Sequence, residues 1–405
     1  MSVPRKNHIW LMIFLGVMSA MAPLSTDMYL PALPAVQADL GATASLVQLT
    51  LTMTMLGMAI GQLVMGPVSD RYGRRLPLLT GMLVFAAASA LCANATDIAL
   101  FLAFRFVQGF AGASGIVIAR AIARDVCEGT ELTRFFSLLM MVNGLAPILA
   151  PVIGGQILLV ASWRAVFWLL VLVGAVQFLA TARFRETLPE EARAGGMAAS
   201  LKKFPQLLHD RYFFGHCLLQ MFVFGGFFAY LGGSSFVFQN VYAVSAQAYS
   251  LIFAGIGAGL MAVGLLPARL AGRVPDVTML KAAVLVQFGG SLVLLASLFA
   301  GAPLAVIVVV LFVTIVPLSV IGAASFSLAL ARQGKNAGSA SALAGLFQMV
   351  LGGALMPLIG LAGEGTALPM ALVMAACFAL STRCFFTQIA PFHRNGTVAA
   401  KHNQK

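Results

Sequence analysis

A chain of 405 residues with 60% hydrophobic and only 9% charged residues, and a mean hydropathy of +0.95, cannot keep its surface wetted and has lipid as its solvent. Its net charge of +12, from 25 Lys and Arg against 13 Asp and Glu, is then read as basic loops on one side of a membrane, and nucleic-acid binding loses its support. Five scattered cysteines with no CxxC pair indicate neither a disulfide framework nor a metal site.

Stretches of about 20 apolar residues cross the hydrocarbon core as helices, because no water there satisfies the backbone. The first, 9–31, follows Arg5 and Lys6. Ala20, Met21 and Ala22 resemble a signal-peptide cleavage site, but the apolar run continues to Leu30, and the expectation is an uncleaved helix. It contains Asp27, the one acidic residue inside a predicted span. A carboxyl group in a low-dielectric cavity can load and release a proton, which makes Asp27 the leading proton-site candidate. Tyr29, two residues on, joins the residues expected to line a cavity.

The second span, 45–67, runs into Gly66-Pro67-Val68-Ser69-Asp70-Arg71-Tyr72-Gly73-Arg74-Arg75. Its glycines allow a tight turn and close helix approach, and an acid among three arginines suits charge-assisted bonds to helix ends. Gly66, Asp70, Arg71, Gly73, Arg74 and Arg75 are therefore expected to form a cytoplasmic latch, with Asp125 as the partner of Arg71 or Arg75. After the third span, 76–94, the fourth, 98–120, carries Arg105 with Gln108, Gly109 and Gly112 on one face. An arginine stays charged at any relevant pH, so this face should point inward, where Arg105 could hold Asp27 ionised or steer a substrate.

The fifth span, 135–159, holds Met140 and Asn143 as cavity candidates, then Pro147, Pro151, Gly154 and Gly155 as a hinge, since each proline removes a backbone bond. The sixth is 164–182. Residues 183–211 form the only long polar interior stretch and read as a cytoplasmic linker between an N-terminal six-helix bundle, 1–182, and a C-terminal one, 212–388. The second bundle's spans are 212–233, 248–267, 277–299, 304–325, 339–362 and 367–388, followed by a basic tail, 389–405. Phe224, Phe228 and Tyr230, with Gln239 beyond them and Gln348 on the eleventh span, give an aromatic and polar wall for a lipophilic ligand. With both termini in the cytoplasm, nearly all cations fall inside; Arg105 and Arg164 are the exceptions. The pattern Asn395-Gly396-Thr397 would also lie inside, and is a chance match to a glycosylation site.

These residues make the chain resemble a major facilitator superfamily carrier over nearly its whole length. Gly66 to Arg75 is similar to the superfamily signature between helices 2 and 3, Leu102 to Gly112 to that of helix 4, and Ala150 to Gly155 to the antiporter signature of helix 5. Ser25 to Pro34, Arg124-Asp125, Trp163-Arg164, Glu186-Thr187-Leu188-Pro189 and Ala337 to Ala344 further resemble the Bcr/CflA group of bacterial bicyclomycin and chloramphenicol resistance proteins. Val68 stands where the signature usually has Leu, and Ala146 and Ala150 where helix 5 usually has glycines.

The resemblance implies an all-α membrane protein with two six-helix bundles around a central cavity, exporting small, lipophilic, drug-like molecules across the bacterial inner membrane against entering protons. The proton gradient would serve as energy source, with no cofactor. A monomer is expected. Import or export of a natural metabolite, such as a nucleoside, amino acid or sugar derivative, is the alternative, because fold alone does not assign substrate. No zinc spacing, serine elbow or paired intramembrane carboxylates suggest an enzyme.

Overall fold

The computed structural model describes residues 5–126, 129–193, 204–330, 333, 337–362 and 365–392. Among them every regular element is helical. In chain order these are α1 (Arg5–Ser19), α2 (Met21–Thr26), α3 (Leu33–Leu40), α4 (Ala44–Tyr72), α5 (Arg75–Ala93), α6 (Ile98–Val126), α7 (Gly129–Val160) and α8 (Arg164–Arg183). There follow α9 (Phe204–His209), α10 (Arg211–Phe236), α11 (Ala246–Gly264), α12 (Leu266–Leu270), α13 (Asp276–Phe299), α14 (Leu304–Ile315), α15 (Leu318–Leu330), α16 (Ala337–Ile359) and α17 (Leu368–Cys384).

Ten of the described helical stretches are long and apolar enough to cross a membrane, and the bent pair Trp10–Ser19 and Met21–Leu40 makes an eleventh; Leu343–Ile359, within the span expected at 339–362, is a shorter apolar helix. The first span departs from the sequence expectation of one continuous helix over 9–31. It breaks after Ser19 and bends by 50°. Pro23 supplies the reason, since a proline ring collides with the carbonyl four residues earlier, here that of Ser19.

The described residues fall into two units, one within 1–197 and 238–254, the other within 198–237 and 255–405. In the first, α4 and α6 approach to backbone contact. A Cβ on Gly57 would meet the Phe106 carbonyl oxygen at 2.2 Å, and one on Gly109 the Thr54 carbonyl oxygen at 2.0 Å. In lipid, where apolar burial gives no advantage to helix pairing, such small-residue faces let dispersion contacts do it. In α7 the helix runs through Pro147 and Pro151, and a Cβ on Gly154 would lie 1.9 Å from the Met28 carbonyl oxygen.

In the second unit α10 packs against α16 and α17 by the same device. Gly226 accommodates the Phe378 ring and Gly352 that of Phe228. On α11, Gly259 abuts Phe312, whereas Gly255, one turn earlier, faces open space.

Candidate functional site

The face of α6 bearing Arg105 and Gln108 is enclosed, with both side chains wholly buried. Arg105 Nη1 donates to Gln108 Oε1 at 2.5 Å and Nη2 donates to the Ser25 carbonyl oxygen at 3.0 Å. Gln108 Nε2 donates onward to Ser89 Oγ at 2.8 Å. Ser25 lies in the last turn of α2, where carbonyls lack intrahelical partners and a cation is favoured, so the guanidinium satisfies a group the helix break releases. The guanidinium also sits 4.8 Å from the Tyr29 ring centre and 5.4 Å from that of Phe167. Its Nε has no hydrogen-bond acceptor among the described residues.

Asp27 follows directly as the C-cap of α2 and is 8% exposed. Thr26 Oγ1 donates to its carboxylate at 2.9 Å. Among the described residues Asp27 forms no ion pair, so the expected Arg105–Asp27 contact is not made; the guanidinium takes the neutral acceptors Gln108 and Ser25 instead.

The turn between α4 and α5, the end of α6 and the segment just after α8 meet at one end of the first unit. Arg74, not Arg71 or Arg75, is the bridging arginine there: it bonds Asp125 at 2.8 Å, Asp70 at 2.5 Å and Ser69 Oγ at 3.0 Å. Burial lowers its pKa, but hydrogen bonds to Asp125 and Asp70 outweigh this and raise it above its ordinary value. Arg71 lies over the Tyr72 ring, and Arg75 donates to the Ala182 carbonyl at 2.7 Å. Rotation of the loop decides the choice. Gly73, at φ +85°, turns the chain so that Arg74 faces α6. Gly66 closes the pattern by accepting from Ser69 Oγ at 2.8 Å.

Glu186, just beyond α8, completes this end. Its carboxylate accepts from the backbone N–H groups of Arg74 (2.8 Å), Arg75 (3.0 Å), Thr187 (3.0 Å) and Leu188 (3.0 Å). Thr187 Oγ1 donates to Asp125 at 3.1 Å. Burial pushes the Glu186 pKa up, but the four N–H donors hold it below the ordinary value. A Cβ at position 73 would lie 2.4 Å from this carboxylate, so glycine is required there twice over.

The remaining cavity candidates divide by exposure. Tyr29 is wholly buried, accepts from Thr50 Oγ1 at 3.3 Å and packs edge-on against Phe101 and Phe167. Tyr230 is buried too. Asn143 is half-buried and donates to Ser19 Oγ at 2.6 Å and to the Leu139 carbonyl. Phe224 and Phe228 form a tilted aromatic cluster with Phe227, centroids 5.7 to 6.3 Å apart. Gln239 donates to the Pro31 carbonyl at 3.1 Å, and Gln348 to Gln220 Oε1 at 3.2 Å. The side chain of Met140 lies outside the described residues, as does Asn395-Gly396-Thr397.

The Major Facilitator Superfamily profile matches residues 15–357. The chain belongs to the major facilitator superfamily. It is 40% identical over 385 residues, 94% of this chain and 96% of the relative, to YdgK, an uncharacterised MFS-type transporter of Bacillus subtilis. It is also 32% identical over 389 residues, again 94% and 96%, to a bicyclomycin resistance protein homolog of Haemophilus influenzae. The multidrug resistance protein MdtL of Citrobacter koseri is 37% identical over 168 residues, 41% of this chain and 43% of MdtL. Among solved structures, a D-xylose-proton symporter superposes with a TM-score of 0.73 at 13% identity, covering 93% of this chain and 97% of that one; at this identity the likeness shows the fold.

This superfamily member is thus a multi-pass membrane transporter of small molecules and not an enzyme, with two six-helix bundles. Sequence reasoning missed an apolar recess of about 450 Å³ in its first unit, lined by Met12, Ile13, Val17, Ala20, Leu24 and Val142. Ile13, Val17, Ala20 and Leu24 recur at three- to four-residue spacing, a pattern that could have flagged that side of the span.

Proposed function

We propose that the chain exports small lipophilic, drug-like molecules across the bacterial inner membrane in exchange for protons, as a monomer with both termini in the cytoplasm and no cofactor. The observation that carries this reading is Asp27: a buried carboxyl group at a helix break, bonded to a threonine and not neutralised by the neighbouring arginine. Such a group binds a proton at modest cost and is charged only when the site is wetted, which couples protonation to alternating access.

Arg105 supports the same cycle. Its fork bridges α6 and the end of α2, and its Nε is available to a carboxylate or substrate in another conformation. The recess beside α1, the ring cluster of Phe224 and Phe228, and the half-buried Asn143, Gln239 and Gln348 are the surfaces suited to a lipophilic ligand with a few polar groups. Gly66, Asp70, Arg71, Gly73, Arg74, Arg75 and Asp125 act as the cytoplasmic latch, and Pro147, Pro151, Gly154 and Gly155 as the hinge of α7. Full-length relatedness to a bicyclomycin resistance protein homolog favours drugs over a natural metabolite as cargo.

The test is ethidium or chloramphenicol transport in everted vesicles with internal pH followed in parallel. Asp27→Asn should insert normally and abolish substrate-linked proton movement; undiminished coupling in that variant would sink the assignment.

A further inference from the structure

The first unit holds the buried charges Asp27, Arg74 and Arg105; among the described residues of the second unit, His216 is the one buried Asp, Glu, His, Lys or Arg side chain. It stands on α10, five residues beyond Arg211, and is 1% exposed. Its Nδ1 lies 2.9 Å from Ser325 Oγ on α15. One turn along α10, Gln220 Nε2 donates to the Gly322 carbonyl at 3.3 Å and Gln220 Oε1 accepts from Gln348 on α16 at 3.2 Å. His216 and Gln220 thus form a polar ladder between α10, α15 and α16, beside the apolar clusters of this unit.

We propose that His216 is a second proton-binding site of the transporter, with Ser325 as its positioning residue. The inference rests on the proton-coupled reading above, and adds a site in the half of the molecule where the sequence suggested none.

Histidine is the side chain whose unperturbed ionisation falls in the physiological range. A serine hydroxyl can donate or accept, so Ser325 can donate to a bare Nδ1 and accept from a protonated one. The contact between α10 and α15 therefore survives both charge states, and only the N–H bond on the ring forms or breaks, with water supplying and receiving the proton. Tyr212 packs against the ring in a T-shaped pair, 4.7 Å between ring centres.

The ionisable groups on surrounding elements are few. On α10 these are Arg211, Tyr212 and Cys217, after the capping Asp210; on α9, His209; on α17, the exposed Arg383 and Cys384, whose thiol donates to the Gly215 carbonyl at 3.2 Å. Neither α15 nor α16 contains an ionisable residue. At 1% exposure a charged ring is poorly solvated, so an imidazolium at 216 favours the conformation that hydrates it. That bias is what a coupling site needs.

Histidine-selective 15N labelling in nanodiscs tests this directly, with the His216→Gln variant assigning the signal among five histidines. The His216 resonance should titrate between about pH 5 and 8, and Ser325→Ala should move its midpoint. A ring fixed in one neutral tautomer over that range overturns the proposal. In proteoliposomes, ethidium transport by His216→Gln should lose at least one limb of the wild-type pH profile; a profile of unchanged shape also overturns it. Wild-type protein that moves ethidium without protons defeats the coupled-transport reading instead, and the titration then judges His216 by itself.

Discussion

Arg105 donates to the carbonyl oxygen of Ser25 at 3.0 Å and leaves the side chain of Asp27, two residues further on, to Thr26. One planar cation thereby ties the first third of α6 to the end of α2 while the adjacent carboxyl group stays unpaired with it. A lysine cannot reproduce the fork, because a single ammonium cannot meet Gln108 and Ser25 in the same geometry. Arg105→Lys is therefore expected to slow transport by about ten- to a hundredfold, the equivalent of one charged hydrogen bond at about 1.5–3 kcal/mol. Ethidium flux per inserted molecule measures it, and full activity in that variant would show that charge alone suffices.

Glu186 gives a prediction with a defined pH sense. Its folded-state pKa lies below the ordinary 4.5, so its contribution is present above about pH 4.5 and is lost as pH falls through the lower folded value. Glu186→Gln should lower thermal stability at neutral pH by about 1 kcal/mol, a modest figure because the group is largely solvent-screened. The wild-type and variant melting curves should converge as the detergent-solubilised protein is acidified. Parallel curves at every pH would count against the carboxylate as the clamp.

Two glycines in long helices should respond oppositely to alanine. At Gly154 the new methyl would meet the Met28 backbone, and overpacking costs about 1–3 kcal/mol. At Gly255 the space is open, and alanine should be neutral or stabilising by up to about 1 kcal/mol through helix propensity. Paired thermal-shift measurements compare them, and equal effects would contradict the packing described.

The opposite end of the first unit, where the end of α3, the turn between α5 and α6 and the start of α8 meet, offers a double-mutant cycle. Arg164 pairs with Asp39, donates to the Ala95 carbonyl at 2.9 Å and stacks on Trp163, whose indole N–H also reaches Asp39 at 3.1 Å. The ion pair is partly exposed, so the Asp39–Arg164 coupling energy should be below about 1 kcal/mol. Trp163→Phe should cost about 1 kcal/mol for the lost bond while keeping the ring packing against Phe101 and Phe167.

Composition and hydropathy were enough to place the spans, because a helix in lipid must be apolar along its length and the polar linker stands out against it. They also singled out Asp27 and Arg105, since charge is rare inside spans. What they could not supply was rotation and reach. Three arginines in one loop are equivalent on paper, and Arg74 wins because Gly73 turns the chain toward Asp125. Glu186 looks like one more linker acid until its four N–H donors are seen, 111 and 112 residues away for two of them. His216 sits near a predicted helix end, where a histidine is unremarkable; its burial against Ser325 depends on how α10 and α15 pack.

The burial of Arg105 also constrains how the protein is made. A span carrying an arginine enters the bilayer at a cost of up to about 2.5–3.5 kcal/mol, the figure for a helix centre, and Arg105 lies in the first third of α6. Its carbonyl acceptor on Ser25 was synthesised 80 residues earlier, and Gln108 arrives three residues later on the same helix. Pairing with the first span, already synthesised, offsets part of that cost, so retention of helices at the insertion site favours assembly over independent release of each span.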